Sequence, residues 1–509
     1  MIEETYGTVN GTYGAVGTCE VTSIWAGEIP EEIGSLVALQ NLNLGNNGLK
    51  GTIPINLFNC SSLQSLSLDD IGLTGTMPSE IGELRNLGYL NLQFNSLTGT
   101  IPSTLFNMTT LRVIHLWSNQ FSGQLPSEFG HGLPNLEEIY LWSNQLTGQL
   151  PSSISNCSKL TVIDLGINSF SGPIPDNLGN LMNLECLHIN DNLFTDESSV
   201  PELSFLSSLT SCKALIRLVL AGNPLNGTLP ISIGNFSALH YFSAQSCNIK
   251  GNIPREVGQL SNLITLELQN NELIGSVPAT LGRLQKLQVL HLQGNKLNGS
   301  LPNDICQMSS LGDLILSRNN LSGTLRGLPG GWSIPKSLFK LASLSVLSMQ
   351  ADGLTGEIPA EIGLLSHFRS LIWETMASKA PFKCFTFYVS ISISLFNCSS
   401  LGILSFDELG LTGTIPSEIG ELRNLEYLNL NFPQNLAMVF RIWKKKHIWS
   451  NQFSGQLPSS ISNCSKLTIV ALGANSFSGP IPNSLGNLRN LEVLYIPDNL
   501  LPMNLQFRN

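Results

Sequence analysis

The residues best suited to chemistry in this 509-residue chain are Tyr89, Phe94, His115, Trp117, Tyr140, Trp142, Asp164, His188 and Asp191. They recur at a near-constant interval: His115 to Tyr140 and Trp117 to Trp142 are 25 residues, Asp164 to His188 is 24. Imidazole beside carboxylate could move protons or hold a metal ion, but His115 and His188 fall three intervals apart, and no tight cluster of histidines and carboxylates occurs. A Gly-x-Ser-x-Gly elbow and an HExxH pair are both missing, so the sequence offers no catalytic set and no metal or cofactor motif. The spacing favours a recognition surface, because Tyr and Trp are the residue types enriched at binding hot spots. On that reading an extended peptide lies over Trp117 and Trp142, with Asp164 and Asp191 engaging a basic group. The plainer alternative, aromatics stacking on one another across strands, stays open. His115, His188 and His291 occupy one column, and protonation in the mildly acidic range could tune it.

A repeating unit must position these residues, and Leu111 to Pro126 (LRVIHLWSNQFSGQLP) shows it cleanly. Leucine-type residues stand eight, five and three positions before Asn119, and Phe121 follows it. The template places nineteen such markers: Asn47, Ile71, Asn95, Asn119, Asn144, Asn168, Asn192, Asn223, Cys247, Asn271, Asn295, Asn319, Asp352, Met376, Leu409, Pro433, Asn451, Asn475 and Asn499. Thirteen of the eighteen intervals are 24 residues and one is 25, a period that marks a leucine-rich repeat. The predicted fold is an α/β solenoid, a plant-type leucine-rich-repeat superhelix with a concave parallel β-sheet and few short helices. Side chains alternate in such strands, so residues six, four and two before each marker, with the one just before it, form one face. That face carries the aromatic run. The marker amide, donor and acceptor together, should serve inward-facing backbone groups in every turn. Where the marker is Ile71, Met376, Leu409 or Pro433 that bonding is lost, and the turn should be weaker.

Composition agrees with a turn-rich array: 12% charged residues, 46 glycines and 26 prolines. A net charge of −10 argues against a nucleic-acid partner, which needs a basic face. Cys60, Cys157, Cys212, Cys398 and Cys464 share one phase, eleven residues before a marker, and read as small buried apolar sites rather than as a disulfide or metal framework. Ten Asn-x-Ser/Thr acceptors occur, at Asn10, Asn59, Asn107, Asn156, Asn226, Asn235, Asn298, Asn320, Asn397 and Asn463.

Along the chain, residues 1–28 read as a degenerate or truncated start, polar and glycine-rich, without the apolar core of an export signal. Residues 29–376 form the main repeat block. Within it the interval from Asn192 to Asn223 stretches to 31, where Leu203, Leu206 and Leu209 predict a short helix. Residues 377–394 read as a non-repeat insertion, 395–499 as a second repeat block broken at 433–447, and 500–509 as a tail. GLTGTMPSEIGELRNLGYLNL (Gly72 to Leu92) returns as GLTGTIPSEIGELRNLEYLNL (Gly410 to Leu430), which points to a segmental duplication.

The unit LRNLGYLNLQFNSLTGTIP (Leu84 to Pro102), the NCSxL openings and the FLSSLTSCKAL stretch resemble the ectodomains of plant leucine-rich-repeat receptor-like kinases of the immune-receptor type. The resemblance implies a ligand-sensing, peptide-binding region in defence or development signalling. It implies a peptide or protein ligand, a co-receptor leucine-rich-repeat kinase, and a place on the extracellular side of the plasma membrane. It also lends weight to glycosylation at the acceptor asparagines. No phosphate-binding glycine loop, HRD or DFG occurs, so kinase activity does not carry over and an enzyme is not expected. A secreted inhibitor similar to polygalacturonase-inhibiting proteins, or a non-functional duplicated fragment, are the competing readings.

Overall fold

A computed structural model describes residues 27–195, 201–321, 336–350, 360–374, 393–407, 412–430, 451–497 and 499–500. The markers Asp352, Met376, Leu409 and Pro433, residues 377–392 of the insertion predicted at 377–394, and the break at 433–447 lie outside the described residues; Ile393 and Ser394 open the 3-10 helix Ile393–Asn397. The chain divides into two compact units, Met1–Phe194 and Thr195–Asn509, and the division falls in the long interval after Asn192.

Each turn is built alike. Leu111, Ile114, Leu116 and Phe121 point inward and are wholly buried, as the spacing predicts. A turn this short cannot bury its apolar side alone, so stacking in one dimension supplies the core. In the first unit the strands Asn41–Asn43, Ser65–Ser67, Tyr89–Asn91, Val113–His115, Glu138–Tyr140, Val162–Asp164 and Cys186–His188 pair in that order, all parallel. The second unit repeats the arrangement from Arg217–Val219 to Val493–Tyr495. After each strand the chain crosses the core, and the Ile-Pro pair starts a five-residue 3-10 helix such as Ser103–Asn107, where Leu105 N–H donates to Pro102 O at 3.1 Å. The stretch holding Leu203, Leu206 and Leu209 forms an α-helix, Ser204–Leu209, with all three leucines buried.

The marker column works as a ladder. Asn119 Nδ2 donates to Leu92 O of the preceding turn at 2.9 Å and to Leu116 O of its own at 3.2 Å, while its Oδ1 accepts the Leu97 N–H at 3.1 Å. Asn95, Asn144, Asn168 and Asn192 repeat the pattern in this unit. Where Cys247 holds the marker place in the second unit, its thiol donates to Leu220 O at 3.3 Å. Ile71 offers no amide, and its own N–H is served by Asn95 Oδ1 at 3.3 Å.

One layer was not expected. The Leu-x-Gly-x-Ile-Pro segment reads as a turn, yet in the first unit Thr74–Thr76, Ser96–Thr100, Gln120–Gln124, Gln145–Gly148, Ser169–Gly172 and Leu193–Phe194 pair as a second parallel sheet. Its central glycine is required: Gly123 has φ +83°, and a Cβ there would come within 2.8 Å of Thr100 Cγ2.

Five cysteines predicted to share a buried site do so. Cys60, Cys157, Cys212, Cys398 and Cys464 are buried thiols with at most 1% exposure, none of them in a disulfide among the described residues. Four of them point at a carbonyl one turn earlier, as Cys464 Sγ does toward Ile419 O at 3.2 Å. Burial pushes the Cys157 and Cys464 thiols up to about 12, which keeps them protonated.

Candidate ligand-binding face

On the open face of the first unit, strand register sets the side chains in columns. His115 lies opposite Asn91 and Tyr140, and Asp164 opposite Tyr140 and His188. Two aromatic rows result. Tyr89, His115 and Tyr140 meet edge to face, with ring centroids 5.6 and 4.7 Å apart. Phe94, Trp117 and Trp142 form the second row at 4.2 and 5.8 Å, again edge to face. Such arrangements contribute roughly 0.5–1.5 kcal/mol per pair beyond burial, which holds the rings in fixed orientations. Apart from half-exposed Phe94, each of these residues is partly buried and partly exposed. Stacking and accessibility therefore coexist.

Three residues past five of these strands the backbone is left-handed: Phe94 at φ 53°, Ser118 at 52°, Ser143 at 57°, Ile167 at 48° and Asp191 at 52°. The bend turns the next residue, the marker Asn, into the core. Phe94 and Ile167 accept this conformation despite their bulk, and both stand out from the face, 49% and 42% exposed. Gly166 seats the end of the tryptophan row. A Cβ at Gly166 would lie 2.7 Å from both Trp142 Cδ1 and Asn190 Oδ1, so the indole can occupy that place only beside glycine.

Burial shapes the electrostatics. The His115 ring, enclosed between Tyr89 and Tyr140, is held down to about 4 by desolvation, against the pull of Asp69, and is neutral at ordinary pH. Its Nε2 is buried without a hydrogen-bond partner among the described residues. Desolvation also raises the Tyr89 and Tyr140 hydroxyls and the Glu138 carboxyl above their usual ranges. Asp164 sits deeper than the alternation implies, at 2% exposure, with Oδ1 accepting the Gly166 N–H and Oδ2 3.4 Å from His188 Nδ1. It therefore faces His188 rather than solvent. Asp191 stays exposed, with Asn190 Nδ2 donating to its Oδ2 at 2.8 Å, and is the carboxylate that solvent reaches.

The chain matches the family Leucine Rich Repeat over residues 38–60, 86–108, 110–131, 135–157, 159–181 and 286–308. It is similar to a probable LRR receptor-like serine/threonine-protein kinase of Arabidopsis thaliana, 47% identical over 60 residues; this covers 12% of the chain and only 6% of that kinase. Among solved structures, the LRR ectodomain of the Arabidopsis receptor kinase HAESA, in complex with an N-terminally extended IDA peptide hormone, aligns with 94% of this chain and 72% of its own, at 31% identity and TM-score 0.75. The chain belongs to the plant leucine-rich-repeat receptor family. The same receptor matches in its complex with IDA and the co-receptor SERK1, at 26% identity over 95% of this chain and 80% of that one, TM-score 0.70. The plant peptide hormone receptor RGFR1, in complex with RGF2, aligns at 28% identity over 94% of this chain and 77% of that one, TM-score 0.71.

For this leucine-rich-repeat receptor chain, the face predicted from alternation places Tyr89, Phe94, His115, Trp117, Tyr140 and Trp142 together. Asp164 and His188 pair beside them. Sequence reasoning missed Gly166, whose signal was a glycine directly after Trp142 in the same column. It also missed a polar row in the second unit, where the Arg217 guanidinium lies 4.7 Å over the Tyr241 ring and Tyr241 OH donates to Glu267 at 2.7 Å. Both rows occupy the same columns, so the column rule itself would have found the second.

Proposed function

We propose that this chain is the ligand-sensing region of a plant receptor-like protein, and that an extended peptide binds across the Phe94–Trp117–Trp142 and Tyr89–His115–Tyr140 rows. The observation that carries the reading is the pair of aromatic rows, fixed edge to face over three consecutive turns and open on one side. Rigid aromatics lose little entropy on binding and suit hot spots. Asp191 would hold a basic group at one end, with His188 oriented by Asp164. Supporting it, HAESA and RGFR1 were solved with peptide hormones, and HAESA with a co-receptor as well. By that analogy the ligand also helps recruit a co-receptor leucine-rich-repeat kinase, the chain works on the extracellular side of the plasma membrane, and the output is defence or development signalling.

Glycosylation belongs to the same proposal. Asn59, Asn107, Asn156, Asn226, Asn235, Asn298, Asn320, Asn397 and Asn463 are all exposed. Asn59, Asn107, Asn156, Asn235, Asn397 and Asn463 each end a 3-10 helix, away from the strand columns that would bind peptide. The test uses a displayed library of random twelve-residue peptides selected on the full chain. Selected peptides should lose at least tenfold affinity for a Trp117→Ala/Trp142→Ala variant that keeps the native far-ultraviolet spectrum. Undiminished binding would overturn the assignment.

A further inference from the structure

The second unit carries its own candidate site on the same columns, and its chemistry is different. Tyr241–Ser243, Thr265–Glu267 and Val289–His291 are consecutive parallel strands, with Ser243 opposite Glu267 and Glu267 opposite His291. Tyr241 OH donates to Glu267 Oε2 at 2.7 Å, while Oε1 of the same carboxylate stands 3.8 Å from His291 Nδ1. Two positions further along each strand come Gln245, Gln269 and Gln293, and Gln269 Nε2 donates to Gln245 Oε1.

What these side chains lack is donors. Gln269, only 6% exposed, has its carbonyl Oε1 buried without a hydrogen-bond partner among the described residues, and Gln293 Oε1 and His291 Nε2 are in the same condition. A buried acceptor left without a donor is destabilising. Desolvation lowers the affinity of His291 for a proton despite Glu267 and Asp313, so the ring is neutral, and with Nδ1–H turned toward Glu267 its Nε2 is one more acceptor. Two amide carbonyls and one imidazole nitrogen thus stand on neighbouring strands with nothing to receive from, beside a carboxylate that accepts only from Tyr241 OH among the described residues. The last torsion of a glutamine is broad, so each carbonyl can turn outward to meet a donor at little cost.

We propose that this face of the second unit is a binding site for a guanidinium group, the side chain of an arginine in a peptide ligand, held by Glu267, Gln269, Gln293 and His291. Guanidinium presents five N–H donors in a planar fork and accepts nothing, which is the complement of this surface. Acceptors on adjacent strands, about 4.8 Å apart, can be reached by such a fork more completely than by the three donors of a compact ammonium. Arg217, 4.7 Å over the Tyr241 ring, holds the ring whose hydroxyl positions Glu267. The site lies wholly within the second unit and does not depend on the aromatic face of the first.

The experiment titrates the full chain with Nα-acetyl-arginine amide by calorimetry at neutral pH, with the lysine and citrulline analogues as comparisons. Saturable binding of the arginine compound is expected, several-fold weaker binding of the lysine compound and none of citrulline, which keeps the shape but loses the charge. Glu267→Gln and Gln269→Leu should each weaken arginine binding at least tenfold. Tyr241→Phe, which only releases one carboxylate oxygen, should retain it, and so should Trp117→Ala/Trp142→Ala, which separates this outcome from that of the aromatic face. Absent arginine binding, equal binding of citrulline, or affinity unchanged in both Glu267→Gln and Gln269→Leu would each overturn the proposal.

Discussion

Replacing Asn119 by alanine tests the ladder at one rung, and the structure says which groups suffer. Four backbone groups touch the amide, but three of them have other partners: Leu92 O also accepts from Asn95 Nδ2 at 3.0 Å, Leu116 O from Asn144 Nδ2 at 3.0 Å, and Trp117 O from the Phe94 N–H at 3.1 Å. Only the Leu97 N–H, in a residue wholly buried, is left with its acceptor gone. That orphan costs roughly 1–3 kcal/mol, and the amide's two lost N–H donors add about 0.5 kcal/mol each, so a local loss of about 2–4 kcal/mol is expected. Because a turn is coupled mainly to its neighbours, the damage should stay near residues 92–121. Hydrogen exchange read by mass spectrometry on the full chain should show the Leu97 amide exchanging roughly 30- to 900-fold faster, at 1.36 kcal/mol per decade. Peptides from the second unit should be unchanged. Asn119→Asp, which keeps the acceptor, should protect Leu97 far better than Asn119→Ala. If Leu97 exchanges alike in all three proteins, the amide is not what satisfies it, and the ladder argument fails.

Three further outcomes follow from the same face. His115 holds a proton only below about 4 when folded, whereas an unfolded histidine takes one up near 6.5, so stability of the first unit should fall as pH drops between those values, by at most about 3 kcal/mol, and be flat above; denaturant midpoints against pH should show the slope, and His115→Gln should remove it. Gly166→Ala should displace the Trp142 indole and weaken the exciton couplet expected of two indoles 5.8 Å apart in the far-ultraviolet circular dichroism; an intact couplet would refute the seating role. Ile167→Asn replaces a β-branched residue at φ 48° with one that tolerates the left-handed region, and should raise local stability by about 1 kcal/mol in a urea titration, an unchanged or lower midpoint counting against strain there.

Periodicity made the fold readable. Columns of leucine and asparagine repeat often enough that one template placed the core, the strand phase and the aromatic face before any coordinates. Two things were hidden for physical reasons. The second sheet is invisible in one repeat, because Leu-Thr-Gly-Thr-Ile-Pro has the glycine and proline of a turn; it becomes a strand only when the next turn supplies the partner, as Gly99 and Phe121 do for each other. Asp164 was expected at the surface because alternation tells which way a side chain points but not how deep its neighbours leave it. Next to it Gly166 has no side chain to hold the surface open, Trp142 leans across, and the carboxylate turns to the Gly166 amide and His188. Tyr241, Glu267 and His291 stand in those same columns; what columns of letters do not display is the bonding between turns that joins them.

The side-chain amide of Asn119 bonds only to its own turn and to the one before it, and that locality has an evolutionary consequence. Any turn carrying the leucine and asparagine columns presents the same socket, so genetic exchange in whole turns can lengthen or shuffle the array without inventing a new joint. The copied segment shows this reuse at atomic detail. Asn91 Nδ2 donates to Ser67 Oγ at 3.0 Å in the first unit, and Asn429 Nδ2 donates to Ser405 Oγ at 3.3 Å in the second. A surface tuned in one place can thus be transplanted to another with its supporting bond included. New binding faces can then be assembled from old turns by recombination alone.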